Sequence, residues 1–186
     1  MDAVLSFLQS ELFGQLLGFL GTAMVAIGMQ CRSYNKVVLV RTSNALISAL
    51  HYLLIGGYTG MAVNLVSVGS NIVYWDRIRK GRSTLIFQVF FGAMFIALGF
   101  LSWHGPISLL VVAAKLISSV AMGISNTKII RILTLINTPC WLVYDAFVFS
   151  ISGICSDIII ITSTLVAVIR LDILGARREK NEKKGI

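Results

Sequence analysis

The sequence places a few polar groups where their neighbours offer them nothing to bond. Lys115 stands in SLLVVAAKLISSVAMG, Asp157 in ISGICSDIIIITS, and Asn64, Asn71 and Asn137 in similarly apolar surroundings. A lysine about ten residues into an apolar helix lies roughly 15 Å from that helix's end. Left unpaired in hydrocarbon, its charge costs on the order of 3 kcal/mol or more, so a partner or a water-filled cavity is expected. Asp157, about six residues or roughly 9 Å into its own segment, can supply the opposite charge. An intramembrane ion pair between Lys115 and Asp157 has two open roles: fixing two helices together, or lining a path for a solute or a proton.

Other polar residues fall into stripes at 3.6 residues per turn. Arg41, Asn44, Ser48 and His51 share one face of one segment, and Asn64, Ser67 and Asn71 share a face of the next. Thr134, Asn137 or Thr138, Trp141 and Tyr144 align on another, as do Asp157 and Thr164. Stripes of this kind must face protein or water. They can contact a solute, or they can join helices at roughly 1 kcal/mol per hydrogen bond. His51, near a helix end, reads as a structural group. No phosphate-binding glycine loop, metal-ligand cluster or nucleophile with a base at motif spacing occurs, so the expectation is no enzyme, no metal and no cofactor. Cys31, Cys140 and Cys155 have no paired spacing and read as small apolar residues.

The elements that must position these groups follow from composition. Of 186 residues, 56% are hydrophobic and 13% charged, and the mean hydropathy is +0.85; a soluble domain carries roughly twice that charged fraction. The chain reads as an integral membrane protein, all-α, with seven apolar segments near the length of a membrane span: 11–30, 36–56, 59–77, 83–103, 105–123, 128–149 and 151–170. The net charge of +8 is a topology signal rather than a nucleic-acid footprint. Apart from Lys115, the sixteen basic residues lie on every second connection and in the tail, whereas GGYTG, WHGP and SIS hold none. The positive-inside rule then puts the N-terminus outside and the C-terminus in the cytoplasm. RREKNEKK could add a weak attraction to anionic headgroups. The first segment, preceded by Asp2 rather than a basic stretch, reads as a helix and not as a cleaved signal. Its Gly14, Gly18, Gly21 and Gly28 form a seam for close packing.

A weak internal repeat organises the segments. Starting at Asn35 and Thr127, Lys36 matches Lys128, Thr42 matches Thr134 and Tyr52 matches Tyr144, all 92 apart. One extra residue then shifts the offset to 93, so that Gly60 matches Gly153, Asn64 matches Asp157 and Arg77 matches Arg170. Two triplets of helices running in the same direction need an odd helix between them, and STLIFQVFFGAMFIALGFLSW, with Gln88 alone well inside it, fits a lipid-facing spacer. The expected units are a first triple-helix repeat at 1–82, the spacer at 83–104, a second repeat at 105–172 and a basic cytoplasmic tail at 173–186.

This 3+1+3 plan of parallel repeats resembles the SWEET and PQ-loop transporters. More closely, CRSYNK, ALHYLLIGGYTGMAVNLVS, YWDRIRK, CWLVYDAFVFSISGICSDI and IRLDIL resemble the YgjV family of bacterial inner-membrane proteins, over the chain up to residue 174. The SWEET resemblance implies that the third helix of each triplet sits between the other two, and that Asn64 and Asp157 contact a substrate. Asn71, Asn137, Tyr52, Tyr144 and Trp141 would complete the site, the aromatic residues walling a small polar or amphipathic solute. The chain departs from the SWEET pattern in lacking the Pro-Gln pairs and in keeping only Pro139 of the kinking prolines. The resemblance thus implies a small-molecule transporter or facilitator of the inner membrane, with the bilayer as partner and a homo-oligomer left open. A non-transporting scaffold or sensor, with a dry interior and Lys115 touching Asp157, is the alternative.

Overall fold

The computed structural model describes residues 11–54, 58–101, 107–147 and 151–176. They form seven helices: α1 (Glu11–Met29), α2 (Tyr34–Leu54), α3 (Tyr58–Arg79), α4 (Leu85–Leu101), α5 (Ser108–Met122), α6 (Thr127–Phe147) and α7 (Ile151–Ala167), the last continuing as a π-helical stretch, Val168–Ile173. Each lies within a few residues of an expected segment. Trp103, His104, the glycines at 56 and 57 and the tail from residue 177 onward lie outside the described residues.

Local signals account for the helix ends. After α3 the chain turns at Gly81, whose φ of 65° lies in the left-handed region that glycine enters without strain. Asn126 Oδ1 accepts from the backbone N–H of Lys128, satisfying one of the free donors at the start of α6. Pro139 sits inside α6 and removes the N–H that would bond the Leu135 carbonyl.

Six helices make a ring. α1 packs on α2, α2 on α3, α3 on α5, α5 on α6, α6 on α7, and α7 returns to α1. α4 lies outside, against α3 and α5. Of the three helices in each expected triplet it is therefore the second, α2 or α6, that stands between the other two, and not the third as the SWEET resemblance implies. The glycine seam explains part of this choice. A Cβ at Gly28 would come within 2.8 Å of Val40 Cγ1, and one at Gly18 would meet the His51 ring at 3.5 Å, so α1 lies close along α2 because it has no side chains there.

Apolar side chains point both ways. Val25, Met29, Val37, Ile130 and Ala167 form one buried cluster between α1, α2, α6 and α7. Val38, Val63, Tyr74, Phe91, Phe95 and Met122 form another, joining α4 to the ring. On the outside, Leu39, Ile86 and Leu101 are 68%, 77% and 85% exposed, an apolar surface that suits lipid rather than water. α2 and the stretch Gly153–Ala176 are long and apolar enough to cross a membrane. Gln88 does not face outward: its amide donates to Thr84 Oγ1 at 2.9 Å and lies against Gly123 at the end of α5.

Candidate functional site

The ring encloses a cavity of about 210 Å³. Its lining is mostly the polar stripes. α2 contributes Arg41, Asn44, Ser48, His51 and Tyr52, and α3 contributes Asn64, Ser67, Ser70 and Asn71. α6 supplies Thr134, Asn137, Thr138, Trp141 and Asp145, and α7 supplies Gly153, Ser156 and Asp157. Lys115, Ser118 and Ser119 face in from α5, with Phe95 of α4 reaching the seam where α3 meets α5. Of the expected site, Asn64, Asn71, Asn137, Tyr52, Trp141, Asp157 and Lys115 converge on this space. Tyr144 does not line it; it packs edge-on against Trp141, ring centroids 6.0 Å apart, and backs that wall. Thr164 is fully buried and bonds within its own helix, to the Ile160 carbonyl.

The expected ion pair between Lys115 and Asp157 is not formed. Lys115 Nζ donates to Asn64 Oδ1 at 2.9 Å and to Ser67 Oγ at 3.2 Å, and lies 5.3 Å over the Trp141 ring, a cation–π contact. The reason is the helix order. With α6 between α5 and α7, the nearest polar groups to Lys115 come from α3, across the ring seam. Asn64 is occupied at both ends of its amide, since Nδ2 donates to the Gly60 carbonyl at 2.8 Å. It holds Lys115 rather than standing free for a solute.

Arg41 is treated similarly. Its Nη2 donates to Thr134 Oγ1 and lies 3.9 Å from Met29 Sδ, while Nε has no partner. Asp157, 7% exposed, leaves Oδ2 without a partner. The hydroxyls around them are tied to their own helices: Ser67 to Val63, Thr134 to Ile130 and Thr138 to Thr134, each at 2.7 Å. Their protons are thus directed at backbone carbonyls, and the Ser67 and Thr134 oxygens are left to accept from Lys115 and Arg41. His51 Nδ1 is 2.6 Å from the Gly14 carbonyl, and Asn137 Nδ2 donates to Ser118 Oγ at 2.5 Å. The His51 contact ties α2 to α1 at the edge of the cavity that His51 also lines.

Asp145 is the residue that sequence reading missed. It is 6% exposed and lines the cavity. The stripe on α6 runs through 134, 138, 141 and 145, at spacings of four, three and four, and does not end at Tyr144. Among the described residues no group of three His, Cys, Asp or Glu comes together that could hold a metal ion.

Toward the basic end the cavity lining gives way to packed apolar side chains. Val25, on its wall, continues into the cluster with Met29, Val37, Ile130 and Ala167. There Arg131 grips Asp172 through two hydrogen bonds, Nη2 to Oδ1 at 2.6 Å and Nε to Oδ2 at 2.9 Å, and Gln30 bridges to Ser163 and Arg170.

No curated protein and no solved structure matches the chain. A family model described as a bacterial inner membrane protein, Imp-YgjV, matches residues 12–174. That match spans nearly all of the helical ring, the cavity residues and the Arg131–Asp172 pair included, and on it the chain belongs to the YgjV family of bacterial inner-membrane proteins.

Proposed function

We propose that this chain is a transporter or facilitator for a small solute, crossing the inner membrane seven times with its N-terminus outside and its C-terminus in the cytoplasm. The observation that carries the reading is a polar cavity walled by all six helices of the ring. Membrane interiors bury charged groups only against protein or water, and charged groups so placed commonly mark a solute path. The ring order supports two parallel triplets: α3 meets α5 as α7 meets α1, with α4 outside as the spacer. The likeness to SWEET transporters then lies in the repeat plan, and not in the helix order of each half. The scaffold alternative expects Lys115 and Asp157 in contact across a filled interior, and the cavity speaks against it.

The test is thiol access. Cys31, Cys140 and Cys155 are free thiols and are first replaced by serine. Single cysteines in place of Asn71, Asn137 and Asp157 should then react with a membrane-impermeant maleimide from one side of the membrane. A folded protein in which all three stay unreactive from both sides has no solute path, and the reading fails.

A further inference from the structure

Three buried side-chain atoms among the described residues lack a hydrogen-bond partner: Arg41 Nε, Thr42 Oγ1 and Asp157 Oδ2. Two of them belong to residues of opposite charge, and both of those residues line the same cavity. The cavity carries two cations, Arg41 and Lys115, and two carboxylates, Asp145 and Asp157, yet neither cation is paired with either carboxylate. Lys115 is held by a side-chain amide and a hydroxyl, and Arg41 by a hydroxyl and a thioether.

The same bundle shows what a structural ion pair looks like here. Arg131 and Asp172 meet at 2.6 Å with both side chains almost fully buried. If the charges in the cavity served only to hold helices, they would gain by doing likewise. Instead neutral dipoles fix each cation in place without neutralising it, and Asp157 keeps an oxygen facing no donor. Such a site is complementary to a ligand that brings one charge of each sign. A neutral sugar would satisfy neither, and a singly charged solute would leave one sign uncompensated.

We infer that the cavity binds a small zwitterion with the size and charge of an α-amino acid, its anionic end at Arg41 and Lys115 and its ammonium at Asp157. This rests on the reading of the cavity as a solute site. The volume fits: about 210 Å³ lies below the roughly 300–1,000 Å³ of sites for drug-sized ligands. Trp141, Tyr52 and Phe95 give the lining an apolar side, where a side chain of the solute can rest.

The experiment is isothermal titration of the detergent-purified full chain with each of the twenty protein amino acids, with glucose, and with isovalerate and isoamylamine as analogues bearing one charge each. At least one amino acid should bind saturably, and the singly charged analogues and glucose at least tenfold more weakly. Asp157→Asn and Arg41→Gln should each weaken that binding at least tenfold, and Asp157→Glu should recover most of it, which separates a charge effect from misfolding. Binding of glucose or of a singly charged analogue as tight as that of the best amino acid overturns the zwitterion assignment, as does unchanged affinity in both charge-removing variants. So does the absence of any binding by folded protein. In each of these cases thiol access to positions 71, 137 and 157 still decides the transporter reading by itself.

Discussion

Arg131 and Asp172 bind each other at two points across the basic end of the ring, with side chains only 3% and 6% exposed. The same guanidinium donates from Nη1 to the carbonyls of Cys31 at 3.1 Å and Met29 at 3.4 Å. It thus satisfies carbonyls that the end of α1 leaves free, and it ties α1, α6 and the π-helical end of α7 at one place. Removing one partner of a buried pair leaves the other charge uncompensated, at a cost of about 3–5 kcal/mol. Arg131→Gln should therefore lower stability by about that amount in reversible unfolding in detergent. Asp76→Asn is the control. Its pair with Lys80 is a half-exposed i,i+4 contact at 2.8 Å, worth roughly 0.3–0.5 kcal/mol, and should hardly register.

Lys115 and Asn64 predict a specific non-additivity. Asn64→Ala takes away the acceptor and leaves a buried ammonium with Ser67 and the Trp141 face alone, a loss of about 1–3 kcal/mol. Lys115→Met removes the charge itself and fills a similar volume. In the double variant no charge is left stranded, so its destabilisation should fall below the sum of the two single ones by about 1 kcal/mol or more. A double-mutant cycle on thermal unfolding reads this directly. Strict additivity would mean that the 2.9 Å contact is not where Lys115 gains its stabilisation.

The glycine seam gives a steric prediction. A β-carbon at Gly28 enters the space of Val40 Cγ1 at 2.8 Å, whereas one at Gly69 meets nothing within 4 Å. Gly28→Leu should cost about 1–3 kcal/mol through overpacking and should loosen α1 from α2. Gly69→Ala should be neutral or stabilising by up to roughly 1 kcal/mol, since alanine favours the helix over glycine. Melting curves of the two variants should shift in opposite directions or differ by several degrees. Equal shifts would mean that α1 does not lie against α2 as described.

What could be read from the residues was the set of helices and the polar faces, because both depend on local periodicity. The stripe from Arg41 to His51 and the stripe from Asn64 to Asn71 face one cavity, as their spacing implies. What could not be read was which helix stands beside which. Asp157 looked like the partner of Lys115 because opposite charges at similar depth attract. The placement of α6 between α5 and α7 depends on packing that no single helix encodes. Asp145 is hidden for a related reason: it lies near a helix end, and only the continuation of the α6 face shows that it points inward. Its neighbour Tyr144 stands one position off that face.

The π-helical stretch Val168–Ile173 yields a prediction that runs against ordinary helix behaviour. A π turn closes its hydrogen bonds between residues i and i+5, and so holds one residue more than an α turn. Deleting a residue within it should restore an α turn while leaving the following residues at nearly the same angle around the axis. Ile169, half-exposed and not part of the Arg131–Asp172 grip, is the residue to delete. In an α-helix a deletion rotates everything beyond it by about 100°, so removing the comparably exposed Ile72 from α3 should abolish folding. Deletion of Ile169 should instead leave a folded protein in which Asp172 still reaches Arg131. The readout is the further effect of Arg131→Gln. If the pair survives the deletion, Arg131→Gln should cost as much in the shortened chain as in the full one. If the wide turn is what brings Asp172 into reach, the second substitution should cost almost nothing more.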